Sequence, residues 1–218
     1  MDPQQLQAHL PQGLTVETFD GTAWLGLVAF AMERVRPWWA PPVPVISWFL
    51  ETNLRTYVRH KSGLSGVWFF SLDANSRLAV RIARTFWNLN YVDCRMTLDR
   101  DVRRGSLRYT GERRRAPAEA YEISFRLPAA KPQAAAVGTL AHFLVERYSL
   151  VTQSADNRIL TASVTHEPYQ FVPLDQVQCR ETYTPALISH CDGVSVPPAH
   201  VVYSPGVDVR VSALRCVE

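Results

Sequence analysis

The clearest pattern in the chain is a strict alternation from Leu50 to Arg59. Leu50, Thr52, Leu54, Thr56 and Val58 fall on one face of a strand, and Glu51, Asn53, Arg55, Tyr57 and Arg59 fall on the other. Residues two apart lie about 7 Å apart along one face. One face therefore carries an acid, an amide and a guanidinium in a row. Alternation by itself fits an antiparallel strand with one wet side. The same periodicity predicts strands over Leu14–Phe19 and Thr22–Met32, joined by an Asp20-Gly21 hairpin turn. Trp24, Leu25, Leu27, Val28 and Phe30 fill both faces of the second of these, which implies cover on both sides and a place mid-sheet or in a barrel wall under a helix.

After a His60–Gly63 turn, Val67–Leu72 reads as a buried strand. Asp73, Asn75 and Ser76 then supply cap chemistry for a helix from Ser76 to Phe86. Leu78, Ala79, Ile82, Ala83 and Phe86 form its apolar stripe, with Arg77, Arg81 and Arg84 opposite. A meander spans 91–127, and Thr139 caps a short helix from Leu140 to about Arg147. A hairpin around Asp156-Asn157 follows, then a strand near Val172–Arg180 and closing strands at Val201–Tyr203 and Val207–Leu214. Residues 37–47 hold Pro37, Pro41, Pro42 and Pro44 with Trp38 and Trp39. They suit a loop whose tryptophans pack on a surface or cover an opening, or a stiff connector. Strands dominate, local hairpins connect them, and about two short helices pack on top. This predicts an α+β, mainly β fold: a closed or nearly closed antiparallel barrel in a single domain over 1–218.

Composition narrows the function. Apolar residues are 47% and charged residues 20% of the 218, which is ordinary for a globular domain. No apolar run reaches the ~18 residues of a membrane span, and the start Met1-Asp2-Pro3-Gln4-Gln5-Leu6 is not a signal peptide, so a cytoplasmic protein is expected. Cys94, Cys179, Cys191 and Cys216 make no CxxC pair. They are read as free buried thiols, with no metal site, and no cofactor is expected. Only Lys61 and Lys131 are lysines among the 23 basic residues.

Four groups of residues resemble a known family. Phe19-Asp20-Gly21 with Trp24-Leu25-Gly26, Glu51-x-Asn53-x-Arg55-Thr56-Tyr57-Val58, Phe69-Phe70-Ser71-Leu72-Asp73 and His142-Phe143-Leu144-x-Glu146-Arg147-Tyr148 occur in the order found in the YqjF-like family of uncharacterised bacterial proteins (domain of unknown function 2071). That family is similar in fold to acetoacetate decarboxylase, a cone-shaped β-barrel around a polar cavity. The resemblance implies that Glu51, Asn53 and Arg55 look inward. It also implies that Tyr91 and Val92 stand where the decarboxylase carries its Schiff-base lysine. Neither Lys61, in a turn, nor Lys131, in a proline-flanked loop, replaces that lysine, so Schiff-base chemistry is not expected.

On this reading Arg55 anchors a carboxylate or phosphate as a fork, and Asn53 donates to a carbonyl. Glu51 serves as general acid or base, with Tyr91 beside it. The bland alternative is a structural ion pair between Glu51 and Arg55. His142 and Glu146, four apart on one helix face, could act with Arg147 as a proton shuttle at the cavity mouth, or could be an exposed pair with Arg147 at the helix end. The facing of Tyr203 and Asp208 stays open. The expected partner is a small, anionic organic molecule, acted on by a lyase-, hydrolase- or isomerase-like enzyme or held by a non-enzymatic sensor or carrier. A homo-oligomer is compatible with the sequence. The arginine cluster Arg100, Arg103, Arg104, Arg108 and Arg113–Arg115 offers a weaker, nucleic-acid-binding alternative. Asp99, Asp101 and Glu112 dilute it, and no aromatic platform accompanies it.

Overall fold

A computed structural model describes residues 1–36, 41–43, 47–87, 89–187 and 197–217, without the side chains of 82–83, 85–87 and 185–186. Trp38, Trp39, Cys191 and the prolines at 37 and 44 lie outside the described residues. Among those described, twelve strands form one sheet. Its path runs Val177–Glu181, Ala116–Arg126, Ser106–Arg113, Tyr91–Asp101, Ser65–Ala74, Ser149–Gln153, Ile159–His166 and Val209–Val211. Phe49–His60 pairs along the other edge of Ser65–Ala74, and carries Leu25–Met32 and Leu14–Val16 end to end on its own outer edge.

Most of the hairpins read from sequence are present. Asp20 and Gly21 both take positive φ (49° and 74°), as a type I′ turn requires, although the hairpin they close has only two residues on each side. Gly105 and Asn157 close the later hairpins with φ of 58° and 64°. Three expectations are corrected. Cys216 is exposed rather than buried. Leu25–Met32 pairs only with Phe49–His60 among the described residues, so it is an edge strand and not a mid-sheet one. And the sheet is not wholly antiparallel; among the described residues its backbone pairings stop short of closing a barrel, which is compatible with a cone-like fold. The sheet is mixed: Leu72–Ala74 runs parallel to Tyr91–Asp93, and Val67–Trp68 runs parallel to Leu150–Val151. The helix Arg77–Trp87 is the reason for the first. It carries the chain over the sheet and returns it in the same direction, which a tight turn cannot do.

Side chains draw the sheet round where backbone does not. The Tyr109 hydroxyl donates to the carbonyls of Phe30 (2.9 Å) and Glu51 (3.1 Å), reaching the open edge strand from the meander. Tyr121 bonds Thr52 at 2.6 Å. These tyrosines pack with Leu54, Cys94, Met96 and Tyr183 into one apolar core, against Leu25, Leu27 and Leu50. Gly111 permits this packing, since a Cβ there would run into the Tyr121 ring, and Gly66 permits a close approach in the separate Leu14–Val58–Val151–Ile159 cluster, where a Cβ would meet Val151 Cγ2 at 2.7 Å and the Ser149 carbonyl at 2.9 Å.

Candidate functional site

The alternation over Phe49–His60 decides which side chains share a face. Leu50, Leu54 and Thr52 turn to the tyrosine core just described. Glu51, Asn53, Arg55 and Tyr57 turn the other way, and that face is covered too. At one end Val80 of the Arg77–Trp87 helix packs with Phe49, Leu72, Ala74 and Tyr91. At the other, the helix Leu140–Val145 lies over Arg55 and Tyr57, whose side chains both donate to the Leu144 carbonyl at 3.0 and 3.1 Å. Glu51 and Asn53 are only 3% and 4% exposed. The polar row is thus an interior one, not the wet side of a surface strand.

Within it Glu51 and Tyr91 meet, the Tyr91 hydroxyl donating to the Glu51 carboxylate at 2.9 Å. Burial pushes the Glu51 carboxyl up from 4.5 to about 7, and the bond from Tyr91 pulls it back only partly. Burial, with the Glu51 charge beside it, pushes the Tyr91 phenol well above its usual range. The pair therefore consists of a carboxyl that titrates near neutrality and a phenol that stays protonated. Glu51 and Arg55 do not form the ion pair that their spacing allowed: Glu51 turns to Tyr91, and Arg55 to Leu144.

Two polar atoms on this face stay without a protein partner among the described residues: Asn53 Oδ1 and Arg55 Nε. Gly26, the cross-strand neighbour of Arg55, leaves room beside it, since a Cβ there would only touch Arg55 Cγ at 3.6 Å and Nε at 3.8 Å. A buried polar atom without a partner costs about 1–3 kcal/mol.

The Leu140–Val145 helix brings the remaining residues together near Arg55. Thr139 caps it, as read from sequence. Arg147 lies 4.9 Å over the Tyr57 ring and 4.3 Å over Phe143, and its guanidinium bonds Glu17 at 2.6 Å. Glu17 also accepts from Arg59 at 2.6 Å and Ser65 at 2.7 Å. Glu146 bonds the Tyr148 hydroxyl and the Tyr169 amide, so it fastens a loop. His142, Phe143, Glu146 and Arg147 line an open cleft of about 810 Å³ between this helix and the Thr15–Phe19 segment, whose lining includes Lys61 but not Glu51, Asn53 or Arg55. His142 and Glu146 thus stand apart from the Glu51–Tyr91 pair.

Tyr57, Glu17, Tyr169 and the Leu144 carbonyl were not singled out from the sequence. Tyr57 was visible in the alternation. A glutamate in the first strand, a tyrosine in a late loop and a main-chain carbonyl carry no sequence signal. Tyr203 packs on Phe125 at 5.6 Å between ring centres, and Asp208 is exposed beside Arg34. Four of the seven arginines in the cluster pair with carboxylates: Arg108 with Glu122, Arg113 with Asp73 and Glu119, Arg114 with Asp93, and Arg104 with Asp101. No described helix is long and apolar enough to cross a membrane.

Comparison with known proteins agrees with the fold and adds a family. Residues 1–208 match the model of the DUF2071 family, described as "Uncharacterized conserved protein". The uncharacterized protein YqjF of Bacillus subtilis (strain 168) is 34% identical over 169 residues, covering 78% of this chain and 68% of YqjF. Acetoacetate decarboxylase from Legionella pneumophila superposes with a TM-score of 0.65 at 11% identity, covering 100% of this chain and 81% of that one. An acetoacetate decarboxylase-like enzyme from Sphingomonas wittichii RW1 gives 0.59 at 16% identity, covering 100% and 87%. At such identities the structural likeness speaks for the fold alone. By the family model and the YqjF relative, this chain belongs to the DUF2071 family of uncharacterized conserved proteins, on an acetoacetate decarboxylase-like fold.

Proposed function

We propose that this protein binds a small organic carboxylate at the Glu51–Asn53–Arg55 face, and that Glu51 exchanges a proton with it. The observation that carries the proposal is the half-filled edge of Arg55. An arginine holds a carboxylate best with Nε and Nη2 side by side. Arg108 does so with Glu122 at 3.0 and 2.9 Å, and Arg113 with Asp73 at 2.9 and 2.9 Å. On Arg55 the same edge has Nη2 on a neutral carbonyl and Nε on nothing. A ligand carboxylate would fill both positions. Asn53, with its amide oxygen unpartnered, would accept from a hydroxyl or amide of the same molecule.

Glu51 and Tyr91 supply the chemistry. A carboxyl near 7 can take or return a proton at neutral pH, and a phenol held protonated can donate to a developing oxyanion. This favours an acid–base enzyme of the lyase, hydrolase or isomerase kind over a carrier, which would use Arg55 and Asn53 without needing a perturbed carboxyl. Schiff-base chemistry is outside the proposal, because Lys61 and Lys131 are both exposed. The divided arginine cluster speaks against a nucleic-acid surface. The same reading places the protein in the cytoplasm, where thiols such as Cys216 stay reduced.

The test is calorimetric screening of a carboxylate library against wild type, Arg55→Ala and Glu51→Gln. Arg55→Ala should weaken any hit by about tenfold or more, the worth of a charge-assisted pair. Glu51→Gln should keep binding and stop turnover. A hit indifferent to Arg55→Ala refutes the site, and borohydride trapping of a keto acid on Lys61 or Lys131 refutes the mechanism.

A further inference from the structure

We infer that the helix Leu140–Val145 is a built-in plug, and that its Leu144 carbonyl occupies the place of one ligand carboxylate oxygen on Arg55. The inference rests on the carboxylate reading of Arg55 and adds what a ligand must displace. Leu144 offers one neutral oxygen to Nη2, while Nε beside it is left unpartnered in a buried place. A carboxylate presents two oxygens, both charged, to the same edge. The helix is thus a weaker occupant than a carboxylate would be, which is what a displaceable stand-in requires.

The helix is also held as a removable part. None of its residues is fully buried. It has six residues, too few to be stable by itself. The segment before it, 128–139, is mostly exposed, and Gly138 there takes a φ of 84°. Segment 140–147 is held to the rest of the chain by the two bonds to the Leu144 carbonyl, the Arg147–Glu17 pair with Arg147 over the Tyr57 ring, the Arg147 carbonyl against His166 at 3.3 Å, Glu146 on the Tyr169 amide at 2.9 Å, and Phe143 against Tyr57 at 5.1 Å and Phe19 at 5.7 Å. The open cleft lies on the far side of Phe143 and Arg147. A molecule in that cleft meets Arg147, Arg59, Lys61 and Phe143, and Phe143 packs on Tyr57, which shares the Leu144 carbonyl with Arg55. The cleft is therefore the approach, and lifting Phe143 and Leu144 joins it to the Glu51–Asn53–Arg55 face.

The experiment uses hydrogen exchange of residues 140–147 read by mass spectrometry, with phenylacetate as the probe. Without probe, Phe143→Ala and Arg55→Leu should each speed exchange of this segment about tenfold, while the amides of Leu54–Val58 keep their protection. With saturating phenylacetate, wild type should exchange faster in 140–147, because the helix has left; an ordinary pocket would protect it. Phe143→Ala should bind phenylacetate several-fold more tightly, because less is spent on opening. Phenylacetate that binds through Arg55 yet protects 140–147 overturns the plug and spares the site. Phenylacetate that binds neither wild type nor Phe143→Ala overturns both. Segment 140–147 exchanging only with the core in every variant overturns the plug alone.

Discussion

Burial of Glu51 makes a prediction that can be worked through to a number. Its carboxyl titrates near 7 in the folded chain and at its ordinary 4.5 when unfolded. Between those values the folded chain holds a proton that the unfolded chain has lost. Stability then falls as pH rises, by about 1.4 kcal/mol per pH unit. From below 4.5 to above 7 the loss sums to about 3 kcal/mol. Glu51→Gln removes it. A glutamine oxygen can still accept the Tyr91 hydroxyl, so near pH 4.5 the variant should match wild type within about 1 kcal/mol. Above pH 7 it should be more stable by about 2–3 kcal/mol. The assay is urea unfolding of both proteins at half-unit steps from pH 4.5 to 8.5, read as the difference in free energy. A difference that does not change with pH refutes the buried, proton-holding Glu51. One that changes in the opposite sense would mean a carboxylate stabilised by the fold. Tyr91→Phe offers an internal check. It takes away the one bond that favours the charged form, so it should move the transition to still higher pH.

Other expectations follow from contacts already described. Gly111→Ala would drive a methyl into the Tyr121 ring and pull its hydroxyl from Thr52, costing about 2–4 kcal/mol by urea midpoint; a change under about 0.5 kcal/mol would mean the ring is free to shift. Arg113→Met leaves Asp73, which is fully buried, with only the Tyr183 hydroxyl, and should cost about 3 kcal/mol or more, lessened when Asp73→Asn is added. Arg108→Ala breaks a pair of similar geometry whose side chains are 55% and 44% exposed, so its cost should be far smaller than that of Arg113→Met and should shrink with salt. Gly66→Val should be the most disruptive of these, since the Ser149 carbonyl in its way is main chain; unfolding at room temperature or a raised tendency to aggregate would both register in a thermal melt.

What the sequence determined is local. Period-two alternation set the faces of Leu50–Arg59, because successive side chains of a strand must point opposite ways. Asp20-Gly21, Gly105 and Asn157 marked turns, because left-handed φ is cheap for few residues. Thr139 marked a helix start, because its side chain can cap the first turn. In the other helix Ala79 packs on the core as its place in the apolar stripe predicts, but Leu78 is 46% exposed and Val80 is buried in its stead, because the strands beneath decide which side of the first turn is covered.

Tertiary structure decided the rest. Alternation makes Glu51, Asn53 and Arg55 neighbours, but it is silent on what lies above them. Two helices cover opposite ends of that face, and the burial of Glu51 is what lifts its carboxyl toward 7. That Tyr91 reaches Glu51 across 40 residues, that Arg113 pairs with the buried Asp73, and that Leu144 lends its carbonyl to Arg55 are likewise matters of long-range placement. The desolvation of a charge and the pairing of a hydrogen bond depend on what else is near in space, and for these residues that is other parts of the chain.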